Sequence, residues 1–220
     1  MPSSGNCGAG GDNRCRADEV GVGAFAGPVI AAAVILAPHT IIDGLADSKL
    51  LSAKRREKLF ALIRTYALAI GIGRAEVDEV DRMNVYWAAM VACRRAVETL
   101  SITPAHMLVD GKRRISGCRL PQTAVVDGDA LSASVAAASI VAKVTRDSIM
   151  EQYAKLYPEY GFERHKGNGT ADHIHALIRL GPLPLHRWSF APVWRAGEPQ
   201  PQLALWNHSG KAGRLEKPHV

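Results

Sequence analysis

Asp18 and Glu19 stand side by side at the end of a short extended segment, just before Gly21-Val22-Gly23. Two further acids repeat the arrangement. Asp110 precedes Gly111 at the end of the apolar run Met107-Leu108-Val109, and Asp129 follows Gly128 after the run Thr123 to Val126. Four carboxylates gathered at one sheet edge repel one another at neutral pH, and protons or cations must offset that repulsion. An all-oxygen donor set suits Mg2+ or Mn2+. Two such ions about 3.5–4 Å apart can activate a water and stabilise the leaving oxygen of a phosphodiester. The chemistry indicated is hydrolysis of a nucleic-acid backbone without a nucleophilic side chain. Singly, each acid has a plainer reading: Asp129 as a helix cap, Asp110 as a turn former, Asp18-Glu19 as a solvated strand end. Their coincidence at strand ends weighs against all four being idle.

Charge points the same way. The 220 residues carry 27 Lys+Arg against 21 Asp+Glu, and the segment from Gly111 to Arg195 holds 12 basic and 7 acidic residues. A basic half beside a carboxylate-bearing half suits a polyanionic substrate. Cys7, Cys15, Cys93 and Cys118 form no C-x-x-C, so neither a zinc site nor a disulfide framework is indicated, and reduced thiols in a cytoplasmic protein are expected. No run approaches the roughly 18 apolar residues of a membrane span, and Met1 to Asn13 lacks the apolar segment of a signal peptide.

The elements that position the acids follow from the pattern. After the glycine turn comes Pro28 and the β-branched, alanine-rich run Val29 to Leu36, so the opening reads as a hairpin. Gly21-Val22-Gly23-Ala24-Phe25-Ala26 is formally G-x-G-x-x-A, but a dinucleotide fingerprint requires a helix at that point, and Val29-Ile30 is strand-like. Ser52 predicts an N-cap for a helix with Leu59, Leu62, Ile63 and Tyr66 on its apolar face. Ala67 to Ile72 predicts a third strand, and Asn84 to Leu100 a helix with Trp87, Met90, Val91 and Val97 in the core. A long helix is expected from Leu131 to about Tyr157, rich in small residues in its first half. Thr170 should cap another with Ala171, Ile174, Leu177 and Ile178 on one face. The expected organisation is a flexible segment over 1–13, an α/β catalytic domain over 14–196 with a mixed sheet, and a tail over 197–220.

With these residues in view, the chain resembles bacterial ribonuclease HII. The resemblance is carried by Asp18-Glu19-Val20-Gly21, Gly27-Pro28, Asp47-Ser48-Lys49, Asp110-Gly111 and Gly128-Asp129. It continues through Ala138 to Asp147, Tyr160-Gly161-Phe162, His165-Lys166-Gly167, Leu185-His186-Arg187 and Ser189 to Val193. It implies an RNase H-like mixed β-sheet flanked by α-helices, with a helical C-terminal portion. It also implies a monomeric two-metal endonuclease that cuts RNA in RNA–DNA hybrids and at ribonucleotides embedded in duplex DNA, leaving 3′-OH and 5′-phosphate ends. The family's catalytic acids fall on Asp18, Glu19, Asp110 and Asp129, which would hold two Mg2+ or Mn2+ ions.

Substrate contacts are expected from Gly21, Val22, Gly23, Lys49, Lys143, Arg146, Lys166 and Asn168. Two of these depart from the family pattern: Val22 stands where the family has Arg, and Asn168 where it has a stacking Tyr. A weakened relative that binds hybrid is therefore the alternative function. In the tail, Gln202-Leu203-Ala204-Leu205-Trp206 is similar to the short peptides that engage the replication sliding clamp, through Gln202, Leu203, Leu205 and Trp206.

Overall fold

The computed structural model of the protein describes residues 14–45, 51–110, 114–125 and 132–198. The expected contact Lys49 and the tail positions Gln202, Leu203, Leu205 and Trp206 lie outside the described residues.

Strand β1 (Arg14–Val20) and strand β2 (Val29–Leu36) form the expected hairpin, with Ala17 opposite Ala33 and Glu19 opposite Ala31. β2 is apolar at every position because it is covered on both sides. Val29, Ala31, Ala33 and Ile35 join one core cluster, and Ile30, Ala32 and Val34 join another on the opposite face. Helix α1 (Ala53–Tyr66) begins at Ser52, whose hydroxyl accepts the Arg55 N–H. Strand β3 (Ala67–Ala75) adds antiparallel to β2. Helix α2 (Val77–Met83) and helix α3 (Val85–Glu98) then cross to strand β4 (His106–Asp110) and strand β5 (Gln122–Val125), both parallel to β1. The sheet order is β3-β2-β1-β4-β5. Helix α4 (Ser132–Leu156) lies on the α1 side of the sheet, and α3 covers the other. A 3-10 turn (Pro158–Tyr160) leads to helices α5 (Phe162–His165), α6 (Ala171–Leu180) and α7 (Ala191–Gly197).

Three expectations are corrected. Trp87 is 47 % exposed, because α3 turns its small residues Ala88, Ala89, Ala92, Cys93 and Ala96 inward instead. Leu62, Tyr66 and Ile178 are also exposed, leaving narrower buried stripes of Leu59 and Ile63 on α1 and of His173, Ala176 and Leu177 on α6. Helix α2 escaped prediction although Glu76 and Glu79 form a reciprocal capping box, with the Glu76 N–H donating to Glu79 Oε2 at 2.9 Å.

The alanine face of α3 meets glycines in β3. A Cβ placed on Gly73 would lie 1.9 Å from the Ala92 carbonyl oxygen, and one on Gly71 would lie 1.9 Å from that of Ala96. Helix and strand backbones are therefore nearly in contact, and an added methyl group has nowhere to go. Gly73→Ala is expected to destabilise the fold by about 1–3 kcal/mol or more through overpacking. Urea denaturation compared with the wild type checks this; an unchanged midpoint would show that α3 shifts freely.

Candidate active site

Successive residues of a strand face opposite sides, so Asp18 and Glu19 leave β1 on different faces. Asp18 is level with Ala32 on the α4 side, and its Oδ1 accepts the Glu19 N–H at 2.9 Å. Glu19 is turned toward α3, where the Cys93 Sγ–H donates to its Oε2 at 3.6 Å. Burial, then the neighbouring Glu19 and Asp18 charges, push the Cys93 thiol well above its ordinary value. It remains an S–H donor and not a thiolate ligand. The parallel register pairs Ala17 with Val109, so position 110, the last of β4, comes level with position 18. Asp129 falls between β5 and α4 and lies outside the described residues, as does the side chain of Asp110. The donors that can be placed are hard oxygens, and the one nearby sulfur stays protonated, which fits Mg2+ or Mn2+ rather than a softer metal.

Next to these acids, the turn between β1 and β2 is held by segments far away in sequence. The Phe25 N–H donates to Gly167 O, the Gly27 N–H to Leu185 O and the Arg187 N–H to Phe25 O, each at 2.8 Å. Isolated bridges join Ala24 to Asn168 and Ala26 to His186. Val22 and Asn168, the two departures from the expected pattern, are therefore both exposed on one rim.

Arg146 requires a correction. Expected as a phosphate contact, it is 1 % exposed, and its guanidinium donates to the carbonyls of Ala26, Pro28 and Lys166. It fills the space beneath Gly21, where φ is +90° and a Cβ would come within 2.2 Å of Arg146 Nε. Lys143 and Lys166 do reach the surface, on a groove of about 820 Å3 between α1, α4 and α5. Each already holds an acid: Lys143 pairs with Asp147 at 2.6 Å, and Lys166 with Glu151 at 2.7 Å.

Sequence reasoning assigned no role to the buried polar cluster behind the rim. The Leu183 N–H donates to His186 Nδ1 at 2.8 Å, which leaves the His186 proton on Nε2, facing His173 Nε2 at 3.0 Å. His173 must then carry its own proton on Nδ1, which meets Asn168 O at 2.9 Å. His165 stacks on His173 with centroids 4.4 Å apart, accepts the Gly167 N–H on Nδ1 and donates from Nε2 to Tyr160 O. His165 and His186 lay within the motifs that carry the resemblance without a role being assigned to them, and His173 sits at a helix position where the period calls for an apolar residue.

A family model described as Ribonuclease HII matches residues 17–193. The Ribonuclease HII of Marinomonas sp. (strain MWYL1) is 53 % identical over 183 residues, which is 83 % of this chain and 92 % of that protein. The fold resembles that of the PCNA:RNase HII complex from Archaeoglobus fulgidus, with TM-score 0.65 and 23 % identity over 79 % of this chain and 91 % of that one. It also resembles Bst-RNase HIII in complex with Mn2+, with TM-score 0.67 and 20 % identity over 83 % and 68 % of the two chains.

Burial, opposed by the hydrogen bond to Asn168, pulls His173 down to about 4; burial and the adjacent His173 pull His186 down to about 3. Both folded values lie below the unfolded value near 6.5, so the unfolded chain binds more protons and acid favours it. Stability is expected to be full above about pH 6.5 and to fall by a few kcal/mol on the way to pH 4. Urea midpoints for the wild type and His186→Gln between pH 7 and pH 4.5 check this. The variant should start less stable and lose less; parallel curves would exclude His186 as a source of the acid sensitivity.

Proposed function

Because the chain belongs to the ribonuclease HII family and is an endoribonuclease acting on RNA–DNA hybrids, we propose that Asp18, Glu19, Asp110 and Asp129 are its catalytic acids. The observation that carries this assignment is the β1–β4 register, which brings positions 18 and 110 level beside the turn that joins β1 to β2. The family depends on divalent metal, and the four acids would hold a pair of Mg2+ or Mn2+ ions. When bound, such a pair supplies Lewis-acid stabilisation of the phosphodiester and activation of water.

The remaining work falls to the chain itself. Asp18 and Glu19 need fixed orientations, and the Glu19 N–H and the Cys93 thiol supply part of that restraint. The turn Gly21-Val22-Gly23 reads the ribonucleotide through its backbone, which lets the enzyme cut hybrids and also single ribonucleotides embedded in duplex DNA, leaving 3′-OH and 5′-phosphate ends. Lys49, Lys143 and Lys166 are the phosphate contacts, and Lys143 and Lys166 exchange Asp147 and Glu151 for phosphate when substrate arrives. Asn168 contributes a polar edge where an aromatic would stack. Nothing in the comparisons favours a weakened hybrid binder.

Through Gln202, Leu203, Leu205 and Trp206 the tail would hold a sliding clamp, a reading supported by the solved complex of the Archaeoglobus fulgidus RNase HII with PCNA. Tethering raises the local concentration of enzyme near newly made DNA.

Asp18→Asn is expected to lower single-turnover cleavage of a hybrid on the order of a thousandfold, with hybrid affinity by fluorescence anisotropy within about threefold of the wild type, since backbone contacts persist. Near-normal turnover by this variant would remove Asp18 from the catalytic set.

A further inference from the structure

Arg146 on α4 and Arg187, in the segment between α6 and α7, are the largest of the fully buried side chains among the described residues. Neither forms an ion pair with a described carboxylate. Burial is the main influence on both guanidiniums and lowers them; Arg187, beside the Arg146 charge, is brought to about 9 and still carries its proton at neutral pH. Filling this space would require only an apolar chain such as Met, without the cost of burying a charge.

What an arginine adds is direction. Arg146 donates to Pro28 O, Lys166 O and Ala26 O. Arg187 donates from Nη1 to Val22 O at 3.1 Å, and from Nε and Nη2 to Gly27 O at 3.0 and 2.8 Å. All six hydrogen bonds go to main-chain carbonyls, and five of them to the turn over 22–28. The described peptide bonds are all trans, and in a trans peptide the C=O and the N–H point opposite ways. Drawing Val22 O inward therefore turns the Gly23 N–H outward, at a place where both Val22 and Gly23 are exposed. The neighbouring amides of Ala24, Phe25, Ala26 and Gly27 face other carbonyls of the protein.

We infer that Arg187, supported by Arg146, is a positioning residue for the substrate: it holds the Val22–Gly23 peptide so that the Gly23 N–H is presented to an oxygen of the bound ribonucleotide, two turn residues from the catalytic end of β1. The inference rests on the proposed function. The acceptor is either the sugar hydroxyl or a phosphate oxygen, both of which take a hydrogen bond from a backbone N–H.

The test uses Arg187→Lys, which keeps the charge and loses the planar fork. Amide exchange over residues 22–27 should accelerate at least tenfold while β2 and α3 are unchanged. KM for a duplex with one embedded ribonucleotide should rise about tenfold, with kcat within about threefold. Faster exchange with an unaltered KM, or unaltered exchange, overturns the inference. Should the lysine variant fail to fold, Gly23→Pro and Gly23→Ala decide the matter, since a side chain there meets nothing within 4 Å. Loss of the N–H must raise KM several-fold more in the proline variant than in the alanine variant; equal effects exclude the amide.

Binding to the embedded-ribonucleotide duplex and to an all-DNA duplex, measured in the Asp18→Asn background, separates the two acceptors. A loss confined to the ribonucleotide duplex assigns the hydroxyl, and an equal loss on both assigns a phosphate. Failure of the wild type to cut would count against the proposed function, whereas binding and exchange rates decide the role of Arg187 independently.

Discussion

Two cations buried without a described carboxylate in contact impose a condition on everything around them. A guanidinium removed from water must have its N–H groups satisfied or the fold loses stability. Here the acceptors are carbonyls of the β1–β2 turn and of Lys166. The turn cannot move away without stranding two charges, and the segments over 146, 166 and 187 cannot retreat without stranding the carbonyls. One end of the sheet and the C-terminal helices are thereby joined into a single unit. The third core cluster, with Ala26 and Met150 packed against Tyr160, Phe162 and Ala176, lies where these segments meet.

The histidines extend that unit toward the rim. Their tautomers are set by backbone groups at both ends, the Leu183 N–H and the Asn168 carbonyl, so the hydrogen-bond chain has one consistent polarity. A neutral imidazole can both donate and accept, so the His173 ring receives from His186 on one side and donates to a backbone carbonyl on the other. The exposed side chain of Asn168 thus stands on a main chain fixed from behind.

Much of this was legible in the sequence, for definable reasons. The acids stood out as candidates because four carboxylates at predicted strand ends next to or near glycine are hard to explain together by capping and turns alone. The sheet did so because the unbroken apolar run of β2 admits only a strand covered on both faces. Alanine on α3 and glycine in β3 are weak signals singly, and their meaning appears only when the two backbones touch; a period search therefore preferred the bulky Trp87. Arg146 failed for a related reason. A basic residue beside Lys143 in a helix reads as surface, and only the partners at 26, 28 and 166, distant in sequence, give it a reason to be inside. The histidines carry the same difficulty, since burial of a titratable ring depends on backbone groups that no local pattern reveals.

The same geometry bears on what a change of side chain at the rim can and cannot alter. Contacts made by a side chain are lost when the side chain changes, but contacts made by a peptide group survive while the backbone is held in place. Val22 stands where the resemblance leads one to expect Arg, on the exposed side of the turn, yet its carbonyl is engaged from the buried side by Arg187. A change of side chain at this position can therefore alter the surface charge without releasing the strap beneath it. On the proposed function, affinity for the polyanion would then depend more on Lys143 and Lys166, and each of these begins paired with an acid. Exchanging a carboxylate for a phosphate trades one ion pair for another and retains little net Coulomb energy, so on the proposed function the basic surface would contribute long-range attraction more than tight contact. On the proposed function, discrimination would be left to a group that has no side chain to lose. On this rim that group is the Gly23 amide, and on the inference above it would discriminate only as well as the buried Arg187 holds the Val22 carbonyl.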